Sequence, residues 1–144
     1  MERERLLCSF YLEEYYFGLD VDVVQEVLRH QAVTRLPLAG PAVRGVINLR
    51  GRIVPALDLR RCLGLASAAE PGGLPSLVVR TSVGAVSLTV DAIGDVVAFA
   101  DSAFENTPQT VHGVAHDLIR GVFKLPDRLL LELDLDSVLM VAYA

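Results

Sequence analysis

Cysteine is scarce in this 144-residue chain, with Cys8 and Cys62 the only two. Two thiols make neither a disulfide framework nor a four-cysteine zinc site, so a reducing compartment, the cytosol, is expected. Long apolar runs are also missing. None approaches the ~20 residues that cross a bilayer as a helix, which argues against direct membrane insertion. The charged start Met1-Glu-Arg-Glu-Arg meets an apolar stretch over 6–12 that is too short and too soon interrupted for a signal peptide. Basic charge is thin as well: 13 Lys and Arg face 18 Asp and Glu, for a net charge of −5. The pI lies near 5.1, and the longest basic cluster is Arg60–Arg61. Binding a phosphate backbone takes a dense basic surface, and no ladder of stacking aromatics replaces one. Nucleic acid is therefore not an expected partner.

The usual vehicles of catalysis are missing too. There is no Gly-rich phosphate loop, no Gly-x-Ser-x-Gly elbow and no His-Glu-x-x-His. His112 and His116 stand four apart with Asp117 adjacent, a metal-ligand spacing if the segment were helical. Gly113 and the β-branched Val111 and Val114 oppose a helix there, so exposed loop histidines are expected. Cys8 lies in an apolar stretch and Cys62 on a short amphipathic turn, where a thiol behaves as a small hydrophobe. No enzyme, no metal and no cofactor is the expectation.

What the chain does have is apolar content. Hydrophobic residues make up 52%, and the mean hydropathy of +0.43 permits a substantial core. Short β-rich runs are punctuated by Gly and Pro. Residues 6–12 and 15–21 read as a hairpin turning at Glu13–Glu14. Val23, Val24, Val27 and Leu28 share one face if residues 22–29 are a short helix capped by Asp22. Residues 45–57 read as a second hairpin with Arg50–Gly51 at its tip. A capped helical turn follows from Asp58 and stops at Gly64. Residues 66–75 form the best linker candidate. Hairpins over 77–90 and 120–133 come next, separated by a loop over 108–117, with a closing helical turn over 134–140.

The pattern restarts after the linker. At a shift of 76, Val43-Arg-Gly-Val-Ile-Asn-Leu lies over Ile119-Arg-Gly-Val-Phe-Lys-Leu, and Leu57-Asp-Leu over Leu133-Asp-Leu. At a shift of 69, residues 19–24 lie over 88–93, with Asp22 on Asp91. Two similar halves of short strands suggest two small barrels, each too small for a core of its own and therefore sharing an interface. Asp22, Asp58, Asp91 and Asp134 recur as caps before short helical runs, a commoner use of such aspartates than acid–base work. At the hairpin tip, the repeat replaces Arg50–Gly51 with Pro126–Asp127. Architecture alone does not demand the arginine. It reads either as a directed contact to a partner or as a solvated turn residue.

The stretches Tyr16-Phe-Gly-Leu-Asp-Val-Asp-Val-Val-Gln-Glu-Val and Arg44-Gly-Val-Ile-Asn-Leu-Arg-Gly-Arg-Ile-Val-Pro-Ala-Leu-Asp-Leu-Arg resemble the CheW family of bacterial chemotaxis adaptors. Weaker likeness continues over 88–97 and 119–135, and the resemblance spans residues 7–139. It implies a mainly β fold: a single domain over 1–144 made of two intertwined, five-stranded, SH3-like barrels. Their rough limits are 15–65 and 75–144, with the N-terminal strand region exchanged or shared. It implies a non-catalytic scaffold in the cytoplasm at membrane-associated receptor arrays. The implied partners are the cytoplasmic hairpin tip of a chemoreceptor, the regulatory domain of the histidine kinase CheA, and other CheW-like domains. Val24, Glu26, Val27, Asn48, Arg50 and Gly51 match positions used for the receptor; Arg44, Gly45 and Ile53 are candidates for the kinase. The alternatives are an adaptor of a non-flagellar chemosensory pathway, such as surface motility, and a small β-barrel ligand-binding module. Glu13–Glu14, in place of a Gly-containing turn, and residues 108–117 depart from the family pattern.

Overall fold

A computed structural model describes residues 2–30, 32–36, 40–66, 73–111 and 113–143. Most of the linker candidate and His112 lie outside these. Alternating apolar and polar residues, rich in Val, Leu and aromatics, form the strands. They are β1 (Glu4–Leu12), β2 (Tyr15–Asp20), β3 (Val24–Leu28), β4 (Val43–Leu49), β5 (Arg52–Asp58), β6 (Ser76–Thr81), β7 (Gly84–Thr89), β8 (Ala92–Ala100), β9 (Phe104–Glu105), β10 (Ile119–Lys124) and β11 (Leu129–Leu133). Two α-helices, α1 (Leu59–Cys62) and α2 (Leu135–Ala142), and two short 3-10 turns, Asp101–Ala103 and His116–Leu118, complete the described elements. No described helix is long and apolar enough to cross a membrane.

The strands make two sheets, in the orders β3-β6-β7-β5-β4 and β8-β1-β2-β11-β10-β9. The second has six strands where five were expected, because the two-residue β9 is added against β10. The repeat explains the layout. Hairpin β6–β7, from the second half, is inserted between β3 and β5 of the first. Hairpin β1–β2, from the first half, is inserted between β8 and β11 of the second. Each insertion makes one parallel pair, β5 with β7 and β11 with β2. The halves have exchanged hairpins, β1–β2 lying in the sheet of the second and β6–β7 in the sheet of the first.

A large core draws Phe10, Phe17 and Leu131 from one sheet and Leu57, Leu77 and Leu88 from the other. Burying side chains of that size stabilises by ~1.5–3 kcal/mol each, which binds the sheets into one unit. Smaller clusters fill each sheet separately: Leu7, Tyr16, Phe123 and Leu130 in the six-stranded one, and Ile47, Val54 and Ala56 in the other.

Two expectations are corrected. Residues 22–29 are not a helix: β3 runs antiparallel to β6, as its β-branched valines favour. A bulge between Val24 and Glu26 inserts one residue, so Val24 and Val27 face the same way, opposite Val79 and Leu77. That spacing imitates a helical face. Two of the four aspartates also cap nothing. Asp58 and Asp134 do accept from the backbone N–H of Arg61 and Ser137 at the starts of α1 and α2. Strands follow Asp22 and Asp91 instead.

Candidate functional site

The β4–β5 turn is a two-residue connection, with Leu49 opposite Arg52. Arg50 and Gly51 both adopt positive φ, 52° and 82°. That pair of conformations matches the right-handed strand twist, and Gly51 takes it without steric cost. Asn48 closes the turn, its Oδ1 accepting from the Gly51 N–H at 2.9 Å. The backbone thus fixes where Arg50 starts.

Its guanidinium then reaches β3. Nη1 donates to Glu26 Oε1 at 2.6 Å and Nη2 to Oε2 at 2.9 Å, a bidentate pair. The hydrogen bond from Arg50 holds the Glu26 carboxyl below its ordinary range, and Glu26 raises Arg50 in return. The Arg50 side chain stays 71% exposed. Beside it, Val27 is 42% exposed, whereas Val24 is half-buried against the shared core. Of the receptor candidates, Glu26, Asn48, Arg50 and Gly51 therefore gather around one ion pair, while Val27, next to Glu26 along β3, shares the strand face of Val24.

The kinase candidates do not gather. Ile53 sits opposite Asn48 near the tip, with 66% of its surface exposed. Arg44 and Gly45 lie at the other end of the hairpin. Burial lowers the pKa of the half-buried Arg44, against the opposing pull of Asp58. Gly45 is buried at a bulge, with φ +154°, and an added Cβ would come within 2.0 Å of the Thr34 carbonyl oxygen. Close backbone approach therefore requires glycine here. The repeat sets the same demand at Gly121, against Phe104 and Glu105.

Sequence reasoning missed Val83, 67% exposed in the β6–β7 turn. With Ile53, Leu49, Ala85, Gln25 and Arg52 it lines a groove of about 230 Å³. A valine between Ser82 and Gly84, where turns ordinarily carry polar residues, was the available signal.

The remaining candidates are quiet. Burial, reinforced by Asp58, pushes the Cys62 thiol up to about 11, and burial raises Cys8. His116 is half-buried rather than exposed, its Nε2 2.6 Å from the Val111 carbonyl oxygen. No group of three metal-ligating side chains occurs among the described residues.

Comparison with known proteins fits this geometry. Residues 7–142 match the family model of the CheW-like domain. The chain is 30% identical over 134 residues to the chemotaxis protein CheW of Rhizobium meliloti (strain 1021), covering 93% of this chain and 86% of that protein. It is 31% identical over 137 residues to the chemotaxis protein CheW of Thermotoga maritima, covering 95% and 89%. The crystal structure of the scaffolding protein TtCheW from Thermoanaerobacter tengcongensis superposes with a TM-score of 0.81 at 26% identity, covering 91% of this chain and 89% of that one.

Proposed function

We infer the function from one premise: this chain belongs to the CheW-like domain family. It is a chemotaxis adaptor that couples methyl-accepting chemoreceptors to the histidine kinase CheA. Its own contribution is surface contact without bond-making, carried out on the cytoplasmic side of receptor arrays.

The observation that carries the residue-level reading is the Arg50–Glu26 pair. It ties a rigid turn to edge strand β3, beside the exposed Val27. A receptor helix lays an apolar side chain against Val27. Arg50, with N–H donors to spare, fixes its register through carbonyl or carboxylate oxygens. Asn48 and Gly51 hold the turn that aims the arginine. The kinase regulatory domain docks on the groove between Ile53 and Val83, where two exposed aliphatic side chains stand beside the polar Gln25 and Arg52. Arg44 and Gly45 stand outside that surface.

Pull-downs with a receptor cytoplasmic fragment and with the kinase regulatory domain test both assignments. Arg50→Ala should lose the receptor and keep the kinase, while Ile53→Glu should do the reverse. Both variants should melt within about 2 °C of the parent, as exposed substitutions of this kind do. An Arg50→Ala variant that unfolds, or an Ile53→Glu variant that loses the receptor alone, would overturn the assignment.

A further inference from the structure

The internal repeat carries Arg44 onto Arg120, so one arginine can be compared in two settings. Each stands at a β-bulge just ahead of a glycine, Gly45 opposite Ala56 and Gly121 opposite Glu132. In the second half the setting is a closed charge network. The buried Glu132 accepts from Arg5 at 2.7 and 2.6 Å, Arg120 lies 3.6 Å from the same carboxylate, and Asp20 lies 3.3 Å from Arg5.

In the first half only the arginine of this network is kept. Ala56 stands in the place of Glu132, Thr89 in the place of Asp20 and Leu74 in the place of Arg5. Backbone hydrogen bonds follow the same correspondence. Val90 N–H donates to Pro75 and Val21 N–H to Leu6, both at 3.0 Å. Asp58 N–H donates to Ala42 at 2.8 Å and Asp134 N–H to Leu118 at 2.7 Å.

Arg44 is nevertheless half-buried, and its guanidinium makes no ion pair or hydrogen bond among the described residues. Asp58, which caps α1, favours the Arg44 charge from beyond ion-pair distance, while burial and Arg35 oppose it. The backbone brings Arg35 there: Thr34 bridges to Val46, and a Cβ added to Gly45 would lie 3.0 Å from Arg35 Cα. Arginines withdrawn from water are ordinarily paired. Here two come together in a chain of net charge −5, and no described carboxylate lies within ion-pair distance of either.

We propose that Arg44 and Arg35 bind a carboxylate side chain of a partner protein, which serves Arg44 as Glu132 serves Arg120. A guanidinium fork matches a carboxylate edge. Leu36, 46% exposed and next to Arg35, suits a carboxylate carried on a protein surface better than a free anion. The inference rests on the adaptor reading only in making the source a protein partner. Titration of the whole chain with N-acetyl-glutamate amide, followed through backbone amide chemical shifts, needs neither receptor nor kinase, so its outcome is separable from that reading. Shifts should concentrate at Thr34, Arg35, Arg44 and Gly45 and leave Arg120 and Gly121 unmoved. R35M should bind about two- to five-fold more weakly, the size of one exposed ion pair. R44M should lose the response and melt no lower than the parent, because it removes a half-buried charge that has no partner. An equal response to N-acetyl-glutamine amide, a response to inorganic phosphate but not to the acetylated glutamate, or undiminished binding by R44M would overturn the proposal. If R44M fails to fold, undiminished binding by R35M does so.

Discussion

Replacing Gly45 with alanine separates a structural role from a docking role at a position where both have been entertained. The new Cβ would lie 2.0 Å from the Thr34 carbonyl oxygen and 2.8 Å from its carbon, both backbone atoms that cannot swing aside. Relief means moving residues 34–35 away from β4. That breaks the pair in which Thr34 N–H donates to Val46 at 2.8 Å and Val46 N–H donates to Thr34 at 2.9 Å. Two such bonds contribute about 1–3 kcal/mol net. Holding alanine at φ +154° adds strain of about 1–3 kcal/mol. The sum, about 2–6 kcal/mol, corresponds to a melting temperature lower by about 6–20 °C for a chain of this size. Thermal unfolding followed by circular dichroism reads this directly. Kinase pull-down well below the lowered midpoint should then be normal. A variant that melts within about 2 °C of the parent yet no longer binds kinase would refute the steric reasoning and return Gly45 to the interface.

The ion pair of Arg60 with Asp91 should leave a pH signature. Burial alone would raise the Asp91 carboxyl, but hydrogen bonds from Arg60 and the Glu13 N–H outweigh it and hold the group below 3.8. A depressed carboxylate stabilises above its unfolded pKa and loses that contribution as pH falls through the folded one. Asp91→Asn should therefore cost about 1 kcal/mol near pH 7, allowing for solvent screening. The gap in melting temperature between D91N and the parent should stay level to about pH 5 and close below pH 4; a gap that persists to pH 2 would show that the charge is not responsible. For Cys62, alkylation at pH 8 followed by mass spectrometry should find it unmodified in the folded protein and modified in denaturant, since burial keeps the thiol protonated. Rapid native labelling of Cys62 would contradict its placement in the core.

Much of the fold was legible because its signals are local. Two-residue turns at Glu13–Glu14 and Arg50–Gly51, and caps at Asp58 and Asp134, depend only on neighbouring residues. The repeat announced two equivalent units. It could not say whose hairpin completes which sheet, because β2 finds β11 across most of the chain and no periodicity records such a pairing. β3 was misread for a specific reason: the bulge at Val24–Glu26 restores to a strand the i, i+3 facing that marks a helix. At the site, the Arg50 turn could be located from Gly51 alone, whereas its reach to Glu26 depends on strands brought together by the fold. Val83 was passed over because a single valine in a turn carries no pattern. Asp91 looked like a cap because helical caps and ion-pair anchors use the same residue type.

The hairpin exchange also governs how the protein can be made. Leu131 of β11 pairs beside Phe17 of β2, more than a hundred residues later in synthesis. At the ~5–20 residues per second of a ribosome, β2 waits roughly 6–25 s for its neighbour. Until β8 is made both edges of this apolar hairpin are open to other nascent chains, and the β2 edge stays open to the end. Slower decoding after β2 should lower yield, and severing the gene between the halves should leave each product without the two strands at the middle of its sheet.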